Sequence, residues 1–114
     1  MENLPTYLKL LDIKYKVLYT DVPSEVDAEQ RDVLCSQVDY WTRIIRVLTR
    51  DKEKSEIMQH LWHEILHAIG EKLHIDCMMS DDEDDDNMVD EMATVINLIL
   101  MENPDIVKQY LERE

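Results

Sequence analysis

Two histidines and a glutamate stand in the stretch LWHEILHAIGEKLH, residues 61–74, whose other residues are mostly apolar. His63 and His67 are four residues apart, so on a helix both imidazoles reach one point from adjacent turns. Glu64 is offset from them by about 100°, which directs its carboxylate beside that point. Two imidazole nitrogens are common zinc ligands, and a neighbouring carboxylate suits a general base. The spacing therefore predicts a metal site that activates water.

The pattern His-Glu-x-x-His on a helix implies a definite mechanism. Zinc lowers the pKa of a bound water to about 7, the glutamate takes its proton, and the hydroxide attacks a polarised carbonyl. We therefore predict His63 and His67 as metal ligands, Glu64 as the catalytic base and one Zn²⁺ per chain. The plainer alternative is a set of surface histidines near the end of a helix.

A helical wheel places all four histidines of the chain on one stripe of this helix, within an arc of roughly 60°. They are His60, His63, His67 and His74. Apolar residues cover more than half of the circumference. These are Ile57, Met58, Leu61, Trp62, Ile65, Leu66, Ala68, Ile69 and Leu73. Because the helix is predicted to be buried on its other sides, the histidine stripe is expected to line a cleft.

The elements that must position this helix fall into two halves. Residues 1–50 are strand-rich: YKVLYTDV, DVLCSQVDY and TRIIRVLT alternate or carry β-branched residues, with a short connection near Asp39 to Trp41. LPTYLKLLDI fits either a strand or a short helix, and residues 23–32 are predicted to form a loop. From Asp51 onward, strong helix formers predict the helix that carries the histidines.

The acidic run at residues 81–86 is predicted to be a loop. A second helix is expected from about Met88 to Met101, ended by Pro104 and followed by a short amphipathic tail. Strands first and helices after predict one α+β domain over residues 1–114. We expect a small antiparallel sheet of about three strands with helices on one face, and residues 51–114 carrying the metal site.

HEILHAIG followed by VDEMATVINLILMENP resembles small phage-borne and bacterial zincin-like metallopeptidases of the ImmA/IrrE type. The resemblance covers roughly residues 12–104 and implies a zincin-like fold that hydrolyses peptide bonds. In that family the next helix supplies an acidic third ligand, three residues before a small residue. The matching positions here are Asp90 and Ala93, although the family more often carries glutamate where this chain has Asp90.

Other residues compete for the third ligand position. Glu91, Asp86 and Glu83 are the alternative acids, and Glu91 points about 100° away from Asp90 on a helix. HEILHAIGEKLH is also close to HExxHxxGxxH, but Leu73 occupies the position of the third histidine and His74 follows one residue late.

Further residues could assist at this site. His60 and Cys77 are additional candidate ligands. Three aromatic residues, expected in the core or an interface, are candidate donors to an oxyanion: Tyr40, Trp41 and Tyr110.

Composition bounds the partners. The net charge of −14 makes nucleic acid an unsuitable direct ligand and suits a basic partner. No apolar run is long enough to span a membrane. The N-terminal residues lack the pattern of a secretory leader, and two cysteines, Cys35 and Cys77, suit reduced thiols. These features predict a cytoplasmic protein.

The predicted substrate is a protein or peptide. TRIIRVLT is a candidate edge strand to which an extended peptide could add. The resemblance implies a DNA-binding repressor of a phage or mobile element, and a basic repressor would suit the charge of −14. An alternative is a non-catalytic, metal-stabilised acidic protein that sequesters a basic partner, with four protein ligands closing the site. A metal-free acidic mimic of DNA is a third.

Overall fold

The computed structural model describes residues 4–22, 35–80 and 82–112. Within these ranges, four strands precede four helices, so the chain is α+β as predicted. The strands are β1 (Tyr7–Leu10), β2 (Ile13–Thr20), β3 (Ser36–Asp39) and β4 (Ile44–Leu48). The helices are α1 (Lys54–Leu73), α2 (Asp76–Met79), α3 (Glu83–Glu102) and α4 (Pro104–Leu111). The predicted loop at residues 23–32 lies outside the described residues.

The four described strands form a mixed sheet in the order β1-β2-β4-β3. β1 and β3 pair antiparallel with β2 and β4 respectively, whereas β2 and β4 run parallel. The predicted antiparallel sheet of about three strands is therefore wrong in two respects. LPTYLKLLDI supplies a further strand, β1, and the β3–β4 hairpin joins the sheet through β4.

This strand order also changes the position of the sheet edge. TRIIRVLT contains β4, which is hydrogen-bonded to β2 on one side and to β3 on the other. It cannot accept an added peptide strand, so the prediction that it forms the edge is wrong. Among the described strands, the edges are β1 and β3.

The main core lies between α1 and one face of the sheet. Strand residues with alternating burial meet the apolar side of α1, as expected for a sheet covered on one face. The buried members are Tyr15, Val17, Ile45 and Val47 from the sheet and Ile57, Leu61, Ile65 and Ala68 from α1. The opposite face of β2 carries Lys14 and Lys16, which are exposed. The prediction that helices pack on one face is confirmed.

Within the acidic run, Asp82 caps α3 and residues 83–86 form its first turn, which corrects the prediction of a loop for these residues. The side chain of Asp82 accepts a hydrogen bond from the backbone N–H of Asp84 at 3.0 Å and caps the helix. Carboxylates in the first turn also interact favourably with the helix dipole. Consequently α3 begins at Glu83, five residues before the predicted start at Met88.

α3 packs along α1 through a second apolar cluster. Leu66 of α1 meets Val89 and Ala93 of α3, and the last two are completely buried. At the far end, the side-chain amide of Asn97 donates to the carbonyl of Ser55 at 3.0 Å. The amphipathic tail predicted after Pro104 is present as α4. No described helix combines the length and the apolar character that crossing a membrane requires.

Candidate metal centre

Three side-chain atoms converge between α1 and α3. The Nε2 atoms of His63 and His67 lie 3.0 Å apart, and Oδ1 of Asp86 lies 3.0 Å from each of them. His63 and His67 are buried, with 9% and 5% of their surface exposed, whereas Asp86 is partly exposed. Among the described residues, these three form the one group whose ligand atoms could hold a metal ion.

The other nitrogen of each histidine faces a hydrogen-bond acceptor. Nδ1 of His67 lies 2.6 Å from the backbone oxygen of Met78, and Nδ1 of His63 lies 3.2 Å from Oδ1 of Asp90. A carbonyl or carboxylate oxygen can only accept, so the tautomer with its proton on Nδ1 satisfies both of these contacts. In neutral imidazoles, both Nε2 atoms then present lone pairs to the shared centre.

This arrangement meets the requirements of a cation site. Three atoms with lone pairs, two nitrogens and one carboxylate oxygen, share one centre, and a positive ion there would satisfy all three. Ligands on a tetrahedral zinc at about 2.1 Å are separated by about 3.4 Å, close to the observed 3.0 Å. Hydrogen bonds from the outer nitrogens of ligating histidines are also typical of metal sites. The residues present therefore fit a zinc ion.

Asp90, predicted as the third ligand, lies one helical turn beyond Asp86. Its carboxylate contacts Nδ1 of His63 and does not join the group at the two Nε2 atoms. Both acids face α1 because residues four apart share one face of a helix. The early start of α3 is what brings Asp86 into this position. Of the other proposed acids, Glu83 and Glu91 are exposed.

His74, the alternative ligand, is exposed and ends α1 in the left-handed conformation, with φ of 57°. The helix α1 continues through Gly70 without a break, and the close approach of α2 leaves no room for a side chain there. A Cβ added at Gly70 would lie 2.5 Å from Cβ of Met78, so glycine permits α2 to pack against α1. That contact brings the Met78 carbonyl to His67.

Glu64 is 5% exposed, and its Oε2 accepts a hydrogen bond from the hydroxyl of Ser36 at 2.6 Å. Burial raises the pKa of Glu64 above its usual value because a buried charge is poorly solvated. His63 and the Ser36 hydroxyl oppose that rise in pKa. Ser36 belongs to β3, so the edge strand contacts the predicted catalytic base directly.

The additional candidates lie outside the three-atom group. His60 is half-buried, and burial is the main cause that lowers its pKa. Cys77 is an exposed free thiol. The hydroxyl of Tyr40 donates to the backbone oxygen of His67 at 3.4 Å. Trp41 and Tyr110 are 93% and 72% exposed, so neither is a core residue.

The roles of Ser36 and of the Met78 carbonyl were not predictable from the motif. Ser36 had a weak signal, since the alternation of a strand places its hydroxyl on the same face as Val38, which packs against the core. A backbone carbonyl carries no sequence signal. A better signal existed for Asp86, because its spacing of four from Asp90 matches the spacing of His63 and His67.

Comparisons with known proteins add no family assignment: no family model, no curated protein and no solved structure matches this chain.

Proposed function

We propose that the protein is a zinc-dependent metallopeptidase. The observation that carries this proposal is the convergence of the two Nε2 atoms and Oδ1 of Asp86 at mutual distances of 3.0 Å, beside the buried Glu64. A cluster with a structural role alone would not need three atoms that present lone pairs to one centre, as the ligands of a metal ion do. The proposed ligands are His63, His67 and Asp86, and Asp90 is proposed to orient His63.

The proposed division of labour follows from the hydrogen bonds. Met78 and Asp90 fix the ring orientations by accepting from the Nδ1 atoms, as outer partners of metal ligands do. When bound, zinc would supply Lewis acidity and lower the pKa of a water to about 7. Glu64 would accept the proton at its carboxylate and pass it to the leaving amine. Its raised pKa suits a group that must both take and return a proton.

The edge of β3 that pairs with no described strand provides a binding mode for an extended peptide. Hydrogen-bonded and non-bonded pairs alternate along antiparallel strands. Leu48 N–H donates to the carbonyl of Cys35 at 2.7 Å, so the backbone groups of Gln37 also face β4. Those of Ser36 and Val38 therefore face the edge that no described strand occupies. A peptide bonded there would pass the Ser36–Glu64 pair.

The test is cleavage by the zinc-loaded protein and by Glu64→Gln, a variant that preserves shape but cannot take a proton. Both would be incubated with a denatured proteome digest, and new termini counted by mass spectrometry. We expect wild-type cleavage to fall by at least about 100-fold in Glu64→Gln, while zinc content is unchanged. Equal cleavage by the two proteins would contradict the mechanism.

The non-catalytic alternative predicts a different result from the same samples. A metal-stabilised acidic binding protein would hold zinc with a closed set of protein ligands, so neither protein would produce new termini. Zinc bound at one per chain without any cleavage would therefore favour the binding protein. In either case the excess of acidic side chains would favour encounter with a basic protein, such as a DNA-binding repressor.

A further inference from the structure

More than half of the exposed large apolar side chains of the described residues lie in one part of the chain. Thirteen such side chains are exposed, and seven of them fall between residues 95 and 111, in α3 and α4. The seven are Val95, Leu98, Ile99, Met101, Ile106, Tyr110 and Leu111. Single exposed apolar side chains are normal on a protein surface, whereas a concentration of them marks a contact surface.

On α3, the exposed apolar residues lie on the side turned away from α1. Val89 and Ala93 point inwards and are buried against Leu66 of α1. On a helical wheel, Val95 and Leu98 lie roughly opposite to Ala93. Each keeps about half of its surface exposed, although burial of an apolar side chain is favourable. Packing on α1 therefore leaves this side of α3 available to another molecule.

The helix α4 extends the apolar surface, since only Asn103 separates it from α3. Its apolar residues Ile106, Val107, Tyr110 and Leu111 share one side, whereas the other side carries Asp105, Lys108, Gln109 and Glu112. None of its side chains is buried, and its main contact is with α3. A helix of eight residues is too short to be stable in water by itself, so a further contact on its apolar side would stabilise it.

The charge around the apolar surface is strongly negative. Residues 83–112 contain nine acidic residues and one lysine. That lysine, Lys108, already forms an ion pair with Glu112 at 3.7 Å. The two helices therefore carry a clear excess of charge of a single sign.

Two of these acids border the apolar stripe of α3. Residues at successive spacings of four, three and four share one side of a helix. In α3, that side carries Glu91, Val95, Leu98 and Glu102, all of which are exposed. The stripe therefore has an apolar centre and a carboxylate at each end.

A helix fits this surface better than an extended segment does. The backbone groups of α3 and α4 are paired within each helix, so they cannot pair with an added strand. Side chains on two consecutive helices instead form ridges and grooves that receive the side chains of a third helix. The apolar centre requires apolar residues on that helix, and the acidic ends require lysine or arginine beside them. A second copy of this chain would bring acidic ends against acidic ends, which is unfavourable.

We propose that the outer surface of α3 and α4 binds an amphipathic helix of a basic partner protein. Apolar residues of the partner helix would pack on Val95, Leu98 and Ile99. Its cationic residues would lie beside Glu91 and Glu102. The inference goes beyond the proposed peptidase activity and does not depend on it. Since the metal centre lies on the inner side of α3, the partner would leave that centre uncovered.

The test measures peptide binding by the metal-free protein, so neither zinc nor cleavage is required. The first probe is a blocked, dye-labelled peptide with the pattern of an amphipathic helix, Lys-Leu-Ala-Lys-Leu-Leu-Lys-Lys-Leu-Ala-Lys-Leu-Leu-Lys. The second has glutamate in place of each lysine, and the third has alanine in place of each leucine. We expect fluorescence anisotropy to show that the first peptide binds at least about tenfold more tightly than either of the others. Its advantage over the glutamate peptide should shrink in about 1 M salt, where charges are screened beyond about 3 Å.

The apolar part of the surface is tested by Val95→Ser combined with Ile99→Ser, which should weaken binding of the lysine peptide at least about tenfold. The matched control is Leu11→Ser combined with Leu73→Ser. These leucines are 47% and 54% exposed, close to the 46% of Ile99 and the 53% of Val95, and they lie outside the surface. The control should bind the peptide as tightly as wild type does.

The acidic ends are tested by Glu91→Gln combined with Glu102→Gln, which should weaken binding about threefold to tenfold. Asp12→Asn combined with Asp51→Asn gives the same net charge, because it neutralises two exposed carboxylates in turns next to the sheet. This control should preserve the affinity. Equal losses in the two double variants would show that only the total charge acts, and would overturn the proposal.

Two further results would overturn it. One is failure of the lysine peptide to bind at millimolar concentration, or binding of the glutamate peptide with equal affinity. The other is a wild-type dimer in light scattering that becomes monomeric in Val95→Ser combined with Ile99→Ser, because a second copy would then cover the surface. Absence of cleavage in the separate peptidase assay would leave this binding result standing, and loss of peptide binding would leave the zinc chemistry standing.

Discussion

Towards the sheet, α1 presents aliphatic side chains such as Leu61 and Ile65, whereas towards α3 it presents His63 and His67. Both sides are buried to a similar degree. On the sheet side, burial of apolar area alone is favourable. On the α3 side, every buried polar atom needs a partner, because an unsatisfied one costs free energy. The first side can stabilise the fold without help, whereas the proposed zinc ion would satisfy the polar atoms of the second.

The largest expected effect is a loss of stability from a substitution on the sheet side of α1, which should leave zinc binding on the α3 side intact. Leu61→Ala, at a residue 1% exposed, should lower the free energy of unfolding by about 2–5 kcal/mol, because it leaves a cavity against the sheet. Urea denaturation of the metal-free protein measures it. Leu73→Ala is the control, since Leu73 is 54% exposed, and it should change stability little. If Leu61→Ala also abolished zinc binding by the folded protein, the two sides would not be independent.

An intermediate effect on stability is expected at the contact between Gly70 and Met78, which positions the carbonyl next to His67. Gly70→Ala places a Cβ against Met78 and should cost about 1–3 kcal/mol of stability. It should also weaken zinc binding by about 10–100-fold, because the Met78 carbonyl moves away from Nδ1 of His67.

The double variant Gly70→Ala, Met78→Gly removes the nearest of the clashing atoms. Its loss of stability should be smaller than the sum of the losses caused by the two single changes. The carbonyl carbon of Met78 would still lie 2.9 Å from the added Cβ, so the rescue should be partial. Simple additivity would show that the side chain of Met78 is not what excludes a side chain at position 70.

The smallest effect concerns the hydrogen bond between Ser36 and Glu64. Ser36→Ala should cost about 1 kcal/mol and raise the pKa of Glu64 further, because the hydroxyl helps to stabilise the carboxylate. The pKa of Glu64 is higher in the folded state than in the unfolded state. The contribution of this carboxyl group to stability is therefore fully present below the unfolded pKa. It is lost as pH rises through the folded pKa.

Carbon-detected NMR titration of the Glu64 carboxyl in the metal-free protein measures the change in pKa. Ser36→Thr keeps the hydroxyl and is the control. The same pKa in Ser36→Ala and wild type would show that this hydrogen bond does not affect the carboxylate.

Much of the helix that carries the site was predictable from local pattern. The histidine spacing, the apolar positions of α1 and the class α+β depend on periodicity within short segments. The sheet was less predictable, because the parallel pairing of β2 with β4 depends on contacts between distant segments. Periodicity identifies a strand without identifying its neighbours, so β4 was misassigned as an edge.

The third side chain of the cluster illustrates the same limit. Asp86 stands in a run of acids that resembles a solvated loop in sequence. The helix α3, capped by Asp82, begins at Glu83, and this early start directs Asp86 towards the histidines. A difference of five residues in a helix boundary therefore decides which acid reaches the two Nε2 atoms.

The most direct measurement of the central claim is zinc stoichiometry and affinity, by elemental analysis and chelator competition. The proteins are wild type, Asp86→Asn, Asp90→Asn and Asp84→Asn, an exposed acid in the same turn. We expect one zinc per chain in wild type and Asp84→Asn, a loss of affinity of at least about 100-fold in Asp86→Asn, and about 10–100-fold in Asp90→Asn. Wild type that binds no zinc after reconstitution, or Asp86→Asn that binds as tightly as Asp84→Asn, would contradict the account.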